Sequence, residues 1–141
     1  MNVLEIPFSK FLGLQKADPD SDYILKMEEK EECQNHLKTM HAGALFVLAE
    51  TASGQFLIEE FKEFESQVIP VVRKAEVKYS IPGKGSVFSK AELFETSNYD
   101  VVQLLNTKGR AIVKVKVDIF DVDDKKIMTS VFDWIFTVNK K

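Results

Sequence analysis

A single carboxylate, Glu50, lies in a stretch of otherwise mostly apolar residues. Residues 42–49 are apolar on every side if they are helical, and such a helix is buried. A buried glutamate is uncommon unless it is paired or functional, because desolvation disfavours its charged form. A carboxylate held in this way can act as a general base or as a nucleophile. Residues 35–54 are therefore predicted to hold both the core of the fold and the site of any chemistry.

Four residues that precede Glu50 in the sequence could take part in the same chemistry. Asn35 lies in a polar loop, and His41, Ala42 and Gly43 form the start of the helix. Simpler explanations exist for several of these positions. Asn35 is typical of a turn or of an N-terminal cap, and His41 fits a residue that bonds to nearby backbone better than a catalytic base. Glu50 itself could pair with a Lys or Arg at the edge of the core.

Length and composition favour one ordinary soluble domain. The chain has 141 residues, of which 45% are hydrophobic and 29% are charged, and this size is sufficient to bury a core. We therefore expect a single domain over residues 1–141. The net charge is −3 and no cluster of Lys or Arg stands out, so nothing favours nucleic acid as a partner.

Cysteine and histidine usage argues against a disulfide framework and against a metal site. Cys33 is the only cysteine, and the two histidines show no HxxxH spacing, so neither a metal nor a cofactor is expected. No apolar run approaches the ~18 residues of a membrane span. The N-terminus lacks a charged region and a small-residue cleavage site, so no signal peptide is expected. The single cysteine makes a reduced, cytoplasmic location the default expectation.

The first half of the chain predicts one long helix. Residues 3–14 are expected to form a short amphipathic helix or an extended arm, residues 18–21 a turn, and residues 23–33 a mostly extended segment. The helix is predicted from about residue 40 to about residue 64. Its second half carries an apolar stripe of Leu57, Phe61 and Phe64.

After the helix the period of the apolar residues changes from 3.6 to 2. This alternation predicts four strands, near residues 71–81, 87–93, 113–119 and 127–138. The apolar side of the first of them is assigned to Val71, Ala75, Val77, Tyr79 and Ile81. Alternating strands are typical of an antiparallel sheet with one covered face. A helix of roughly 35 Å could lie along that face.

The connection at residues 96–109 is longer than a tight hairpin. Ser97 or Asn98 could cap a short helix here, with Gly109 shortly beyond its end. Leu104 and Leu105 could then pack over the mouth of a pocket and bind substrate. The alternative is an ordinary surface connection that buries its own apolar residues.

The order of elements and the start of the long helix resemble the hotdog-fold acyl-CoA thioesterases, and among them the phenylacetate-type branch. The pattern of that branch is Asn-x-x-Gly-x-x-His-Gly-Gly, with an Asp or Glu nine residues after the His. Lys38 and Ala42 replace two of its glycines. The positions that match the pattern are Asn35, His41, Gly43 and Glu50. The turn at residues 79–85 and the Gly-Arg step at 109–110 are also similar, so the resemblance covers about residues 22–138.

The resemblance implies an α+β hotdog fold, in which an antiparallel sheet is wrapped around one long central helix. It also implies that the backbone N–H of Ala42, at the N-terminus of that helix, stabilises the developing oxyanion of a thioester. Glu50 would be the general base or the nucleophile, and Asn35 would orient the water or the carboxylate. His41 is grouped with these catalytic residues, and Gly43 with substrate binding.

Helix geometry separates Ala42 from Glu50 by a rotation of roughly 80° and a rise of roughly 12 Å. One helix cannot bring both groups to one carbonyl, whereas two antiparallel helices in a dimer can, as in the resembled family. We therefore expect a homodimer, or a homotetramer built as a dimer of dimers, that hydrolyses an acyl-CoA or acyl-carrier thioester. The alternatives are an acyl-binding or acyl-CoA-binding hotdog protein without turnover and a monomeric module for a small ligand.

Overall fold

The computed structural model of the chain describes residues 1–139, and it begins with two short helical elements. A 3-10 turn at Val3–Glu5 leads into helix α1, Pro7–Leu12. Pro7 occupies the start of α1, where a missing N–H costs nothing. Gly13 ends the helix with φ 74°, a left-handed conformation that favours glycine.

A short antiparallel pair of strands follows, and one of the two was not predicted. Strand β1, Leu14–Lys16, pairs with strand β2, Leu25–Met27. The predicted turn between them is present, because the carboxylate of Asp18 accepts the N–H of Asp20 at 2.9 Å. The extended segment predicted for residues 23–33 is shorter in the structure, since a 3-10 turn forms at Glu31–Cys33.

The long helix α2 spans Ala42–Glu60, which is 19 residues. It ends earlier than predicted, because Phe61 leaves the helical conformation at φ −114° and ψ 39°. A 3-10 turn at Lys62–Phe64 follows. The predicted apolar stripe of this region is buried nonetheless, at Leu57, Phe61 and Phe64.

The second half of the chain contains the four predicted strands and one further helix. These elements are β3 (Val68–Tyr79), β4 (Val87–Leu93), α3 (Asn98–Lys108), β5 (Arg110–Phe120) and β6 (Lys126–Val138). The short helix expected in the connection at residues 96–109 is present and is α3. The side chain of Ser97 caps it by accepting the N–H of Asp100 at 3.1 Å, and Gly109 ends it with φ 68°.

The predicted alternation in β3 was wrong near its start. The pairing of β3 with β6 shifts register between Val72 and Lys74, so a bulge lies at Arg73. A bulge adds one residue to a strand and reverses the side on which the preceding residues lie. Val71 is consequently 55% exposed, although it was assigned to the covered side.

The six strands form one antiparallel sheet in the order β1-β2-β4-β5-β6-β3. Helix α2 joins β2 to β3, which lie on opposite sides of the sheet, so the helix crosses the whole inner face. It contacts β2, β4, β5 and β6 on the way. The predicted α+β architecture, a sheet around one long helix, is confirmed. No helix among residues 1–139 is long and apolar enough to span a membrane.

Aromatic side chains of β6 make specific contacts with helix α2 and the residue that follows it. Phe46 and Phe61 each meet a β6 phenylalanine edge to face, with ring centroids 5.6 Å apart. Between them, the indole N–H of Trp134 donates to the hydroxyl of Ser53 at 2.9 Å. That hydroxyl in turn donates to the backbone carbonyl of Glu50 at 2.6 Å. These contacts set the rotation of α2 about its axis, and with it the direction of Glu50.

Candidate active site

Glu50 lies in the middle of α2 and is half-buried. Burial raises the pKa of its carboxyl group above the ordinary value. Among residues 1–139, no ion pair includes Glu50, so the pairing with a Lys or Arg that the sequence left open is not seen. A partly desolvated carboxylate without a charged partner has the properties of a general base.

Glu50 borders a cavity of about 300 Å³, here called the Glu50 cavity. The cavity lies between α2, the first residues of β3, strand β6 and the N-terminal segment. Its walls are mostly apolar and include Val3, Ile6, Gly54, Trp134 and Phe136. The sequence contained no signal for this enclosure, because residues far apart in the chain form it.

Asn35 organises the loop that precedes α2. Its side-chain carbonyl accepts the N–H groups of Leu37 at 2.9 Å and Thr39 at 3.1 Å. The backbone N–H of Asn35 donates to the backbone carbonyl of Thr39 at 2.8 Å. Lys38, within this loop, has φ 61°, the left-handed region that favours glycine. The resembled pattern carries glycine at this position, and the loop conformation gives the physical reason.

His41 caps the N-terminus of α2. Its Nδ1 accepts the N–H of Gly43 at 2.8 Å, which is the backbone bonding that the sequence favoured for this residue. A Cβ at Gly43 would lie 3.0 Å from that same nitrogen, a tight contact that would displace the imidazole from its capping position by a few tenths of an ångström. The N–H of Gly43 is occupied inside the chain. Among the hydrogen bonds of residues 1–139, none uses the N–H of Ala42.

Asn35 and Ala42 meet in a second cavity of about 260 Å³, here called the loop cavity. The turn after β3 closes this cavity with Tyr79, Pro82 and Gly83. The hydroxyl of Tyr79 donates to the carbonyl of Ala42 at 3.2 Å, and burial raises the pKa of that hydroxyl. Tyr79 was not assigned to the site from the sequence. Its place in the turn that resembles the family was the signal that could have found it.

The other predicted site residues lie elsewhere. Glu50 does not border the loop cavity, so one chain does not bring it to Asn35 and Ala42. Leu104 and Leu105 border neither cavity. Leu105 is 4% exposed and belongs to the core beneath α3, while Leu104 is 36% exposed. Their assignment to substrate binding stays a prediction, and this packing favours a structural role for Leu105.

A long helix that crosses the inner face of an antiparallel sheet and is enclosed by it is the arrangement of the hotdog fold. The chain belongs to the family described as Domain of unknown function (DUF4442), whose model matches residues 13–136. No curated protein matches the chain at a significant level.

Solved structures confirm the hotdog fold. A protein of Pseudomonas aeruginosa, named a probable thioesterase, is 23% identical, with a TM-score of 0.82 over 97% of this chain and 91% of that one. A mutant of a Staphylococcus aureus thioesterase enzyme is 14% identical, with a TM-score of 0.71 over 92% of this chain and 98% of that one. A Bacillus halodurans protein solved with CoA is 16% identical, with a TM-score of 0.62 over 82% of this chain and 66% of that one.

Replacing Lys38 by glycine should stabilise the protein. The change relieves a left-handed conformation at a residue with a side chain, so we expect the free energy of unfolding to rise by about 0.5–1 kcal/mol in denaturant titrations. Leu37→Gly is the control in the same loop, because Leu37 does not have a positive φ. That control should lower stability. Equal effects of the two changes would contradict the strain at Lys38.

The raised pKa of Glu50 predicts a stability that falls as pH rises. Between the ordinary carboxyl pKa of 4.5 and the raised value, the folded state binds more protons than the unfolded state, so stability declines through this window. Glu50→Gln should therefore raise the melting temperature near pH 7 and have little effect below about pH 4. The control is Glu59→Gln, at an exposed position on the opposite side of α2. A lower melting temperature for Glu50→Gln near pH 7 would reveal a stabilising partner for the carboxylate.

Proposed function

We propose that the protein is a thioesterase that hydrolyses an acyl-CoA or acyl-carrier thioester, with each site assembled from two subunits. The observation that carries the proposal is Glu50, a half-buried carboxylate with a raised pKa beside an apolar cavity. The names of the structural neighbours, which include thioesterases and a protein solved with CoA, support the same reaction class.

In the proposed reaction, the carboxylate of Glu50 removes a proton from a water molecule as the water oxygen attacks the thioester carbon. The carbonyl becomes an oxyanion, which the N–H of Ala42 stabilises at the positive end of α2. When the tetrahedral intermediate collapses, the C–S bond breaks and Glu50 returns its proton to the leaving thiolate. Direct attack of Glu50 on the carbon, through an anhydride that water then hydrolyses, uses the same groups.

The two halves of this machinery lie in different cavities of one chain, which supports a site shared between subunits. Asn35 and Ala42 border the loop cavity, whereas Glu50 borders the other. Strand β3 offers a means of assembly, because it is 12 residues long and lies at the edge of the sheet. It exposes Ile69 at 52%. A long edge strand with unpaired backbone groups and some exposed apolar side chains can pair with a second copy, and two-fold pairing there would set the two α2 helices antiparallel.

One observation favours binding without turnover as the second candidate. His41 occupies the N–H of Gly43, so the helix N-terminus offers the N–H of Ala42 without that neighbouring donor. An oxyanion site with fewer donors stabilises a transition state less, because each lost donor costs about 10²–10³ in kcat. In that case the cavities would bind an acyl ligand without hydrolysing it.

Glu50→Gln should abolish hydrolysis while the fold is kept. The amide is nearly isosteric with the carboxyl group but can act neither as base nor as nucleophile, so we expect kcat to fall by about 10²–10⁴. The measurement is thiol release from a panel of acyl-CoA substrates, and Glu59→Gln is the matched control. Activity of Glu50→Gln comparable to the wild type, on a substrate that the wild type turns over, would exclude the assigned role.

Ala42→Pro tests the proposed oxyanion donor without damaging the helix. Ala42 is the first residue of α2, where proline is tolerated, and His41 at φ −64° and ψ 136° has the conformation that proline requires before it. The proline removes the N–H and places its Cδ where that hydrogen was, so the donor and the space in front of it are lost together. An equal mixture of inactive Ala42→Pro and inactive Glu50→Gln proteins should regain about a quarter of the wild-type activity after subunit exchange. About half of the dimers are then mixed, and one of the two sites in each mixed dimer is intact.

The readout of this mixing experiment is hydrolysis before and after exchange, with exchange followed by differently labelled subunits. No recovery despite demonstrated exchange would mean that both groups serve one site within a single chain. Full activity of Ala42→Pro alone would remove its N–H from the mechanism.

A further inference from the structure

Gly54 occupies the interior of α2, where its conformational freedom is not used. Its φ does not lie in the left-handed region. A glycine inside a helix lowers stability relative to alanine, because it has more conformational entropy to lose on folding. The position therefore needs a reason for having no side chain.

The packing of the chain itself does not supply that reason. A Cβ at residue 54 would find the ring carbons of Trp134 as its nearest neighbours, at 3.5 Å, which is ordinary van der Waals contact. Close approach of a second subunit explains the glycine poorly as well, because Gly54 is already buried in one chain. What the missing methyl group leaves is space in the Glu50 cavity.

The lining of this cavity selects an apolar occupant. Val3 and Ile6 of the N-terminal segment form one wall, and Trp134 and Phe136 of β6 form another. The charged groups on the lining are the carboxylates of Glu50 and Glu65 and the N-terminal ammonium of Met1, which pairs with Glu65. The mostly apolar walls and the carboxylate of Glu50, which is unpaired among residues 1–139, disfavour the phosphates of coenzyme A, so the end of the substrate that fits here is the acyl chain.

We propose that the Glu50 cavity binds the acyl chain of the substrate and that Gly54, facing Trp134, sets the length of chain it accepts. This inference rests on the proposed thioesterase function and adds the substrate class, thioesters of apolar acyl groups. The acyl chain lies between α2 and β6, with its carbonyl end near Glu50. Trp134 is held in position by its hydrogen bond to Ser53.

Trp134 also provides a signal for binding that does not depend on turnover. It is the only tryptophan of the chain and borders the cavity, so its fluorescence reports occupancy directly. The probes are straight-chain fatty acids of increasing length, titrated against the intact protein. The same lengths are then tested as acyl-CoA substrates for hydrolysis.

Gly54→Ala is the decisive variant, because the added methyl group fits beside Trp134 and favours the helix. We expect a higher melting temperature together with a preference for shorter chains, and an affinity for the longest ligand reduced about fourfold for each methylene excluded. Val3→Ala, which widens the opposite wall, should shift the preference towards longer chains. Gln55→Ala is the matched control on α2, since its side chain does not border the cavity.

Higher stability of Gly54→Ala with an unchanged chain-length profile would overturn the assignment, as would a wild-type protein that neither binds fatty acids nor hydrolyses acyl-CoAs. Loss of the dimer in Gly54→Ala would assign the glycine to subunit contact instead. Length-dependent binding without hydrolysis would refute the proposed reaction and keep the acyl site. Hydrolysis with a chain-length profile that Gly54→Ala leaves unchanged would keep the proposed reaction and refute the acyl site.

Discussion

The docking of α2 on β6 is the interaction on which the candidate site depends. Two aromatic pairs fix the ends of the contact, and the hydrogen bonds from Trp134 through Ser53 to the carbonyl of Glu50 fix its middle. A helix held at three points cannot rotate about its axis. Because residues four apart share a helix face, Glu50 and Gly54 then face the same cavity. The direction of the carboxylate is thus a consequence of core packing.

Three features around this helix lower stability. Glu50 is partly desolvated without an ionic partner among the described residues, Gly54 weakens the helix, and Lys38 holds a left-handed conformation in the preceding loop. Each is locally unfavourable. Residues that violate local rules tend to collect where function requires them. This concentration near α2 supports a functional interpretation of both cavities.

The sequence predicted the elements whose burial follows a simple period, and it missed those set by local irregularity. Strand β5 alternates cleanly because one face is covered by α2, and β6 alternates over its middle residues, so the positions of both were recovered. The assignment of β3 residues to the covered side was wrong near the start of the strand, because a bulge at Arg73 reverses the side on which the preceding residues lie. At the site, Glu50 was recognisable as a carboxylate within an apolar run. The cavity around Glu50 was not recognisable in the sequence, because its walls include Val3 and Trp134, which lie near opposite ends of the chain.

The separation of the two cavities has a consequence for how the proposed enzyme would be controlled. Ala42 borders the loop cavity and Glu50 the other cavity, so under the proposed mechanism a lone chain would contain each half of the machinery but no complete site. Pairing along β3 would complete both sites together, and the gain in free energy from that pairing depends on protein concentration. Activity would then depend on the fraction of paired chains. The long, partly apolar edge of β3, which would be a liability in a monomer, is in this arrangement the element that makes catalysis possible.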